Sequence, residues 1–198
     1  FMATYAQTAK PAGKPAKKTF VAMFYNVENL FDTRNDPKTI DEEFTPEGKV
    51  PWTEERFQTK IGRISQVIND IATPDAPDII GFAETENRFV LEKLLALPKM
   101  SRTKYGIVQF DSPDERGIDV SMIYNTATFT VISSEPLKVK LPTNDYTRDI
   151  LYVKGKLKTG EILHVFVNHW PSRREGTELS DPNRLAASTV LREKLNLI

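Results

Sequence analysis

Two nearly unbroken apolar runs, TFVAMFYNV at residues 19–27 and DIIGFAET at residues 78–85, flank a segment of helical period. This alternation limits the fold more than any other feature. A strand that is apolar at almost every position needs cover on both faces, and a sheet with helices packed on it supplies that cover. The intervening segment starts at Thr53, a candidate N-cap, with Glu54 and Glu55 in the first turn, where their charge suits the positive end of the helix dipole. Arg56 stands where a full capping box would place Glu or Gln. Phe57, Ile61, Ile64, Ile68 and Ile71 then recur at helical spacing as far as Pro74. The chain is predicted to be α/β, with TFVAMFYNV as a central strand.

The same alternation continues. RFVLEKLLAL reads as a helix capped by Asn87 and stopped by Pro98, and YGIVQF, IDVSMIY and TFTVIS read as shorter strands. ILYVKGKL and EILHVFVNH, joined by the Lys158-Thr159-Gly160 turn, predict a hairpin. Asp181 and Pro182 are expected to open a last helix with Ala187, Val190, Leu191 and Leu195 on one face. No internal repeat or domain boundary interrupts residues 19–198.

Charge and composition exclude several chemistries. The 27 Lys and Arg balance the 27 Asp and Glu, so no overall basic field holds a polyanion, and affinity for phosphate has to be local. The absence of cysteine rules out thiol catalysis, cysteine-ligated zinc and disulfides. FMATYAQTAK reads either as the end of a secretory leader or as an arbitrary chain start, and KPAGKPAKK as a Pro/Lys/Ala tether. Residues 1–18 are therefore expected to be a leader remnant and tether on an exported domain, periplasmic, secreted or surface-tethered. No segment has the length and apolarity of a transmembrane helix.

Three polar residues share one topological position. Asn26, Glu84 and His169 each stand at or just beyond the C-terminal end of an apolar strand, where open α/β sheets place their ligand sites. Taken singly, Asn26 also suits a turn cap, Glu84 a solvated strand end and His169 a core hydrogen bond. Strand parity sets His169 on the face of Leu163, Val165 and Val167, whereas His164 shares the other face with Ile162 and Phe166 and reads as structural. Pro171 ends the ladder and leaves Ser172, Arg173 and Arg174 on a loop, where an imidazole beside guanidinium groups can receive a phosphoryl oxygen.

FYNVENLFD, GFAETEN, RGIDVSMIY and VNHWPSRR, in this order and at these intervals, resemble the endonuclease/exonuclease/phosphatase superfamily of deoxyribonuclease I-like proteins, in particular its secreted bacterial branch. The resemblance covers Phe20 to the end and implies a four-layer α/β sandwich, two stacked mixed sheets flanked by helices. It implies that Glu84 is the principal ligand of Mg²⁺ or Mn²⁺, although Ala83 replaces the glutamine of the family's motif. Asn26 would orient the phosphate and the metal's water shell, and Glu28 would stand in that outer shell. His169 would bond a non-bridging phosphate oxygen in the transition state. A hard cation that keeps several waters suits such carboxylate chemistry. Arg116 and Arg148 are candidates to grip substrate, Arg116 being equally suited to pair with Asp114 or Asp119. Asp119, Asn168 and Arg173 complete the substrate-binding candidates. Asn26, Glu84 and His169 are expected to converge, with carboxylate and imidazole roughly 5 to 10 Å apart around a metal and a phosphoryl group.

The family's catalytic base, in a Gly-Asp-Xaa-Asn motif, and its second histidine, which follows an aspartate, have no counterpart in these residues. The chain is expected to be the first part of an enzyme that is monomeric when complete. The resemblance implies a metal-dependent phosphodiesterase or phosphomonoesterase. A non-catalytic module that binds metal and phosphate and a purely structural exported domain stay open. Nucleic acid, phosphoinositide and phospholipid head groups are all candidate substrates.

Overall fold

A computed structural model describes residues 19–71, 75–143, 145–173 and 176–198. The expected leader remnant and tether, Pro74 and Arg174 lie outside the described residues. The predicted first helix is α1 (Glu54–Ile71). Thr53 caps it as its sequence implies, with Oγ1 accepting from the Arg56 N–H at 3.4 Å and the carbonyl accepting from Phe57 at 3.0 Å. Phe57, Ile61, Ile64 and Ile68 are buried while Ile71 is exposed. Each buried side chain contributes roughly 1.5 to 3 kcal/mol of hydrophobic stabilisation, so this stripe fixes α1 to the sheet.

That sheet has the order β1-β2-β4-β3. It contains β1 (Ala22–Leu30), β2 (Ile79–Thr85), β3 (Tyr105–Gln109) and β4 (Asp119–Asn125). β1 and β2 run parallel, as a helical crossover requires, and the other neighbours are antiparallel. A second sheet, wholly antiparallel, has the order β5-β6-β7, formed by β5 (Phe129–Leu137), β6 (Ile150–Leu157) and β7 (Ile162–Val167). The Lys158-Thr159-Gly160 turn closes the predicted hairpin, with the Gly160 N–H on the Leu157 carbonyl at 2.9 Å.

Three apolar clusters define four layers. The first lies between the first sheet and α1 with α2 (Arg88–Leu95), and it includes Ile80, Phe82, Val90 and Leu94. The second lies between the sheets and joins Ile79, Val120 and Met122 to Phe129, Leu151, Val153 and Val167. The third packs Ala187, Val190 and Leu191 of α3 (Thr177–Leu195) on Ile150 and Phe166. Between the sheets, Gly155 leaves room for the Phe129 ring, which a Cβ at that position would overlap.

Two elements depart from the sequence reading. Among the described residues β1 has a strand neighbour on one side only, and Phe24 is 58% exposed while Met23 and Tyr25 of the other face are partly buried against the first sheet's helices. α3 begins at Thr177, more than a turn before Asp181, and Pro182 lies inside it. Its start is set by Gly176, whose φ of 88° with ψ of 168° is a backbone region open essentially to glycine alone. Pro182 forgoes the helical hydrogen bond to the Glu178 carbonyl, and its ring crowds that turn.

Candidate active site

The regular β1–β2 ladder breaks between Asn26 and Leu30 on one strand, and β2 shifts register around Glu84 on its β4 side. Three non-glycine residues at this break have positive φ: Glu28 at 55°, Asn29 at 60° and Glu84 at 66°. Each such backbone costs on the order of 1 to 3 kcal/mol and persists only where the surroundings impose it. Here the imposing group is the Glu84 carboxylate. It accepts the Asn29 N–H on Oε2 at 2.9 Å and the Asn26 side-chain amide on Oε1 at 3.1 Å. Asn26 is itself fixed, because its Oδ1 accepts the Glu28 N–H at 2.9 Å. Hydrogen bonds to a charged acceptor contribute roughly 1.5 to 3 kcal/mol each, the same order as the strain they oppose.

His169 comes from the loop after β7. Its Nε2 lies 3.6 Å from Glu84 Oε1, and its Nδ1 is buried with no hydrogen-bond partner among the described residues. Burial lowers the imidazole pKa, and the Arg148 charge lowers it further, against the opposing pull of Glu84. At 3.6 Å, with the ring held neutral, the pair is a juxtaposition rather than an ion pair. The separation is shorter than the expected 5 to 10 Å. Arg148 accounts for this by drawing in the loop, its Nε donating to the His169 carbonyl at 3.3 Å and Nη2 to the Trp170 carbonyl at 3.2 Å. Nη1 is anchored on Asp114 at 2.9 Å, and the Arg148 side chain is only 11% exposed.

Sequence 21–198 matches the model of the endonuclease/exonuclease/phosphatase family. The chain belongs to that family. Solved structures agree at the level of fold. A Bacteroides thetaiotaomicron mannosyl-6-phosphatase superposes with a TM-score of 0.57 at 16% identity, covering 89% of this chain and 59% of that one. A humanized TDP2 from D. rerio gives 0.57 at 14% identity, with 88% and 58% covered. An endonuclease/exonuclease/phosphatase from Bacteroides vulgatus gives 0.56 at 16% identity, with 91% and 62% covered. This family member thus spans about three-fifths of the length of those structures. No curated protein matches the sequence.

The remaining candidates divide by position. Arg116, half exposed, places its backbone N–H on Asp114 Oδ1 at 3.1 Å and its guanidinium 3.6 Å from the same carboxylate, so Asp114 gathers both arginines beside His169. Asp119 is buried opposite Thr85 and accepts from Gln109 Nε2 at 3.1 Å and from the Ser112 N–H at 2.9 Å, holding that loop. Asn168 turns onto its own loop, bonding the Phe166 carbonyl and Trp170 Nε1, both at 3.2 Å. Arg173 is exposed, 4.0 Å from Asp181, and the Glu28 residue is exposed too. Asn29 was not singled out by sequence, since a backbone N–H leaves no trace in residue type.

Family members imply a divalent cation here. Among the described residues no group of three or more His, Cys, Asp or Glu converges to hold one by itself. The donor set still fits Mg²⁺, which keeps several waters and takes one or two carboxylates together with substrate phosphate. Glu84 would hold it, with Asn26 beside it.

Two buried carboxyls nearby make stability depend on pH. Burial pushes Asp119 up to about 7 and Glu86 up to about 8, further raised at Glu86 by Asp32, Asp41 and Asp36. Both bind a proton more readily folded than unfolded, so the folded state carries more protons between about pH 4 and 8. Stability is therefore expected to fall as pH rises through that window and to level off above it, by at most about 4 to 5 kcal/mol for each carboxyl. Urea midpoints at pH 5 and 8.5 check this. Asp119→Asn should narrow the difference, and equal midpoints in the unsubstituted protein would contradict it.

Proposed function

We propose that this chain is the N-terminal portion of an exported, Mg²⁺- or Mn²⁺-dependent phosphoric ester hydrolase of the secreted bacterial branch of its family. The observation that carries the reading is Glu84, held in a strained backbone by Asn26 and Asn29 with the imidazole of His169 against the same carboxylate oxygen. Strain of this kind concentrates where function requires a fixed geometry.

A bound cation would supply Lewis-acid relief of charge on the phosphoryl group. Asn26 orients the Glu84 carboxylate and presents its amide to a phosphate oxygen. His169, neutral near pH 7, donates from Nε2 to a non-bridging oxygen, and its affinity for a proton grows as negative charge builds there. Arg148 holds the loop that carries it. Because 3.6 Å does not admit a phosphoryl group between imidazole and carboxylate, the ring turns away from Glu84 as substrate enters. The proton of the attacking water goes to the family's Gly-Asp-Xaa-Asn base, a motif that these residues do not contain.

A cavity of about 510 Å³ reaches Asp114, the partner of Arg148, and its lining includes Asp36, Lys38, Asp111, Glu115 and the buried carboxyls of Glu86 and Asp119. The zero net charge, with no basic stripe in the sequence, supports a compact phosphate ester over a polyanionic duplex. The test is turnover of p-nitrophenyl phosphate and its diester by the full-length protein. Hydrolysis should appear with Mg²⁺, stop with a chelator and return with added metal. Metal binding with no turnover of any phosphate ester would favour a binding module and overturn the reading.

A further inference from the structure

Lys60 lies in the apolar stripe of α1, three residues after Phe57 and four before Ile64, yet it carries a charge. Its ammonium reaches out of the helix to two consecutive carbonyls, that of Glu28 and, at 3.2 Å, that of Asn29. These are the two residues of β1 at positive φ, and the second gives its N–H to Glu84. Nζ also lies 5.4 Å above the Trp52 ring, whose Nε1 is bonded to the Phe31 carbonyl at 3.0 Å, so both the start of α1 and the end of the turn fix the ammonium. Burial lowers the Lys60 pKa, while the charges of Glu28 and Glu84 oppose that shift and place both carboxylates within its field.

We propose that Lys60 is a positioning residue: it clamps the left-handed Glu28–Asn29 turn so that the Asn29 N–H holds the Glu84 carboxylate at the metal position. The inference rests on the hydrolase reading above. Two opposite consequences of removing Lys60 can be distinguished. As a bare neighbouring charge it repels a cation, and its loss would tighten metal binding. As a clamp it pre-forms the ligand, and its loss weakens binding.

The experiment compares Lys60→Met and Lys60→Arg with the unsubstituted full-length protein, reading Mg²⁺ affinity by calorimetry and kcat and KM on a p-nitrophenyl phosphodiester. Lys60→Met, which keeps the packed stem over Trp52, should weaken Mg²⁺ binding at least fivefold and lower kcat about tenfold with KM little changed. Lys60→Arg, able to reach both carbonyls, should return both values to within about threefold. If Lys60→Met does not fold, Lys60→Gln is read by the same criteria. Unchanged or tighter Mg²⁺ binding in the folded variant overturns the clamp while leaving the hydrolase reading intact. An unsubstituted protein that neither binds Mg²⁺ nor turns over substrate overturns both.

Discussion

Replacing Glu84 by alanine should reduce hydrolysis by more than about a thousandfold, largely by releasing the metal. Lewis-acid stabilisation is worth several kcal/mol, and about 4 kcal/mol already corresponds to about a thousandfold in rate. The structure adds a second loss. Without the carboxylate, the Asn29 N–H and the Asn26 amide lose their common acceptor, and the strain at Glu28 and Asn29 loses the interaction that opposes it. High Mg²⁺ concentration should rescue part of the rate, because the waters and substrate phosphate that complete the cation's shell are still available. An alanine variant with turnover within about tenfold of normal at low Mg²⁺ would remove Glu84 from the metal position.

His169→Ala should have a different signature. Losing one preorganised donor to a transition-state oxyanion costs about 3 to 4 kcal/mol, roughly a hundredfold to a thousandfold in kcat. Metal affinity should change little, because Arg148 grips the backbone carbonyls of residues 169 and 170 and keeps the loop in place when the ring is removed. Calorimetry with Mg²⁺ and single-turnover kinetics separate the two effects. Near-normal turnover with lowered stability would mean that β7 is followed by histidine for packing reasons.

The layers of this fold were legible because burial leaves a periodic trace. The Phe57, Ile61, Ile64 and Ile68 stripe predicted α1, and Asn87 predicted the start of α2, where its side chain accepts the Val90 N–H at 3.2 Å. Strand parity also separated His164 correctly, since its Nδ1 is 2.8 Å from the Tyr152 hydroxyl on the other face of β7. The α3 start was misread because proline is a local signal whereas Gly176 acts through a backbone angle.

Within the site, sequence brought forward Asn26, Glu84 and His169, which the fold places together. It did not indicate that Glu84 would have positive φ, or that Arg148 would face Asp114 and the loop carbonyls with three of its donors. Such pairings join residues 21 and 34 positions apart, and no local pattern encodes them. Lys60 did leave a trace, a charged side chain in an apolar stripe, whose meaning appears only when the turn of β1 is seen beneath it.

The most direct test of the central claim is a crystal structure of the full-length protein grown with Mn²⁺ and vanadate, with the metal located by its anomalous scattering. The account predicts a manganese peak bonded to the Glu84 carboxylate, a vanadate oxygen within hydrogen-bonding distance of His169 Nε2, and the imidazole turned away from its position beside Glu84. Manganese bound elsewhere with Glu84 still held only by Asn26 and Asn29, or vanadate out of reach of His169, would contradict it.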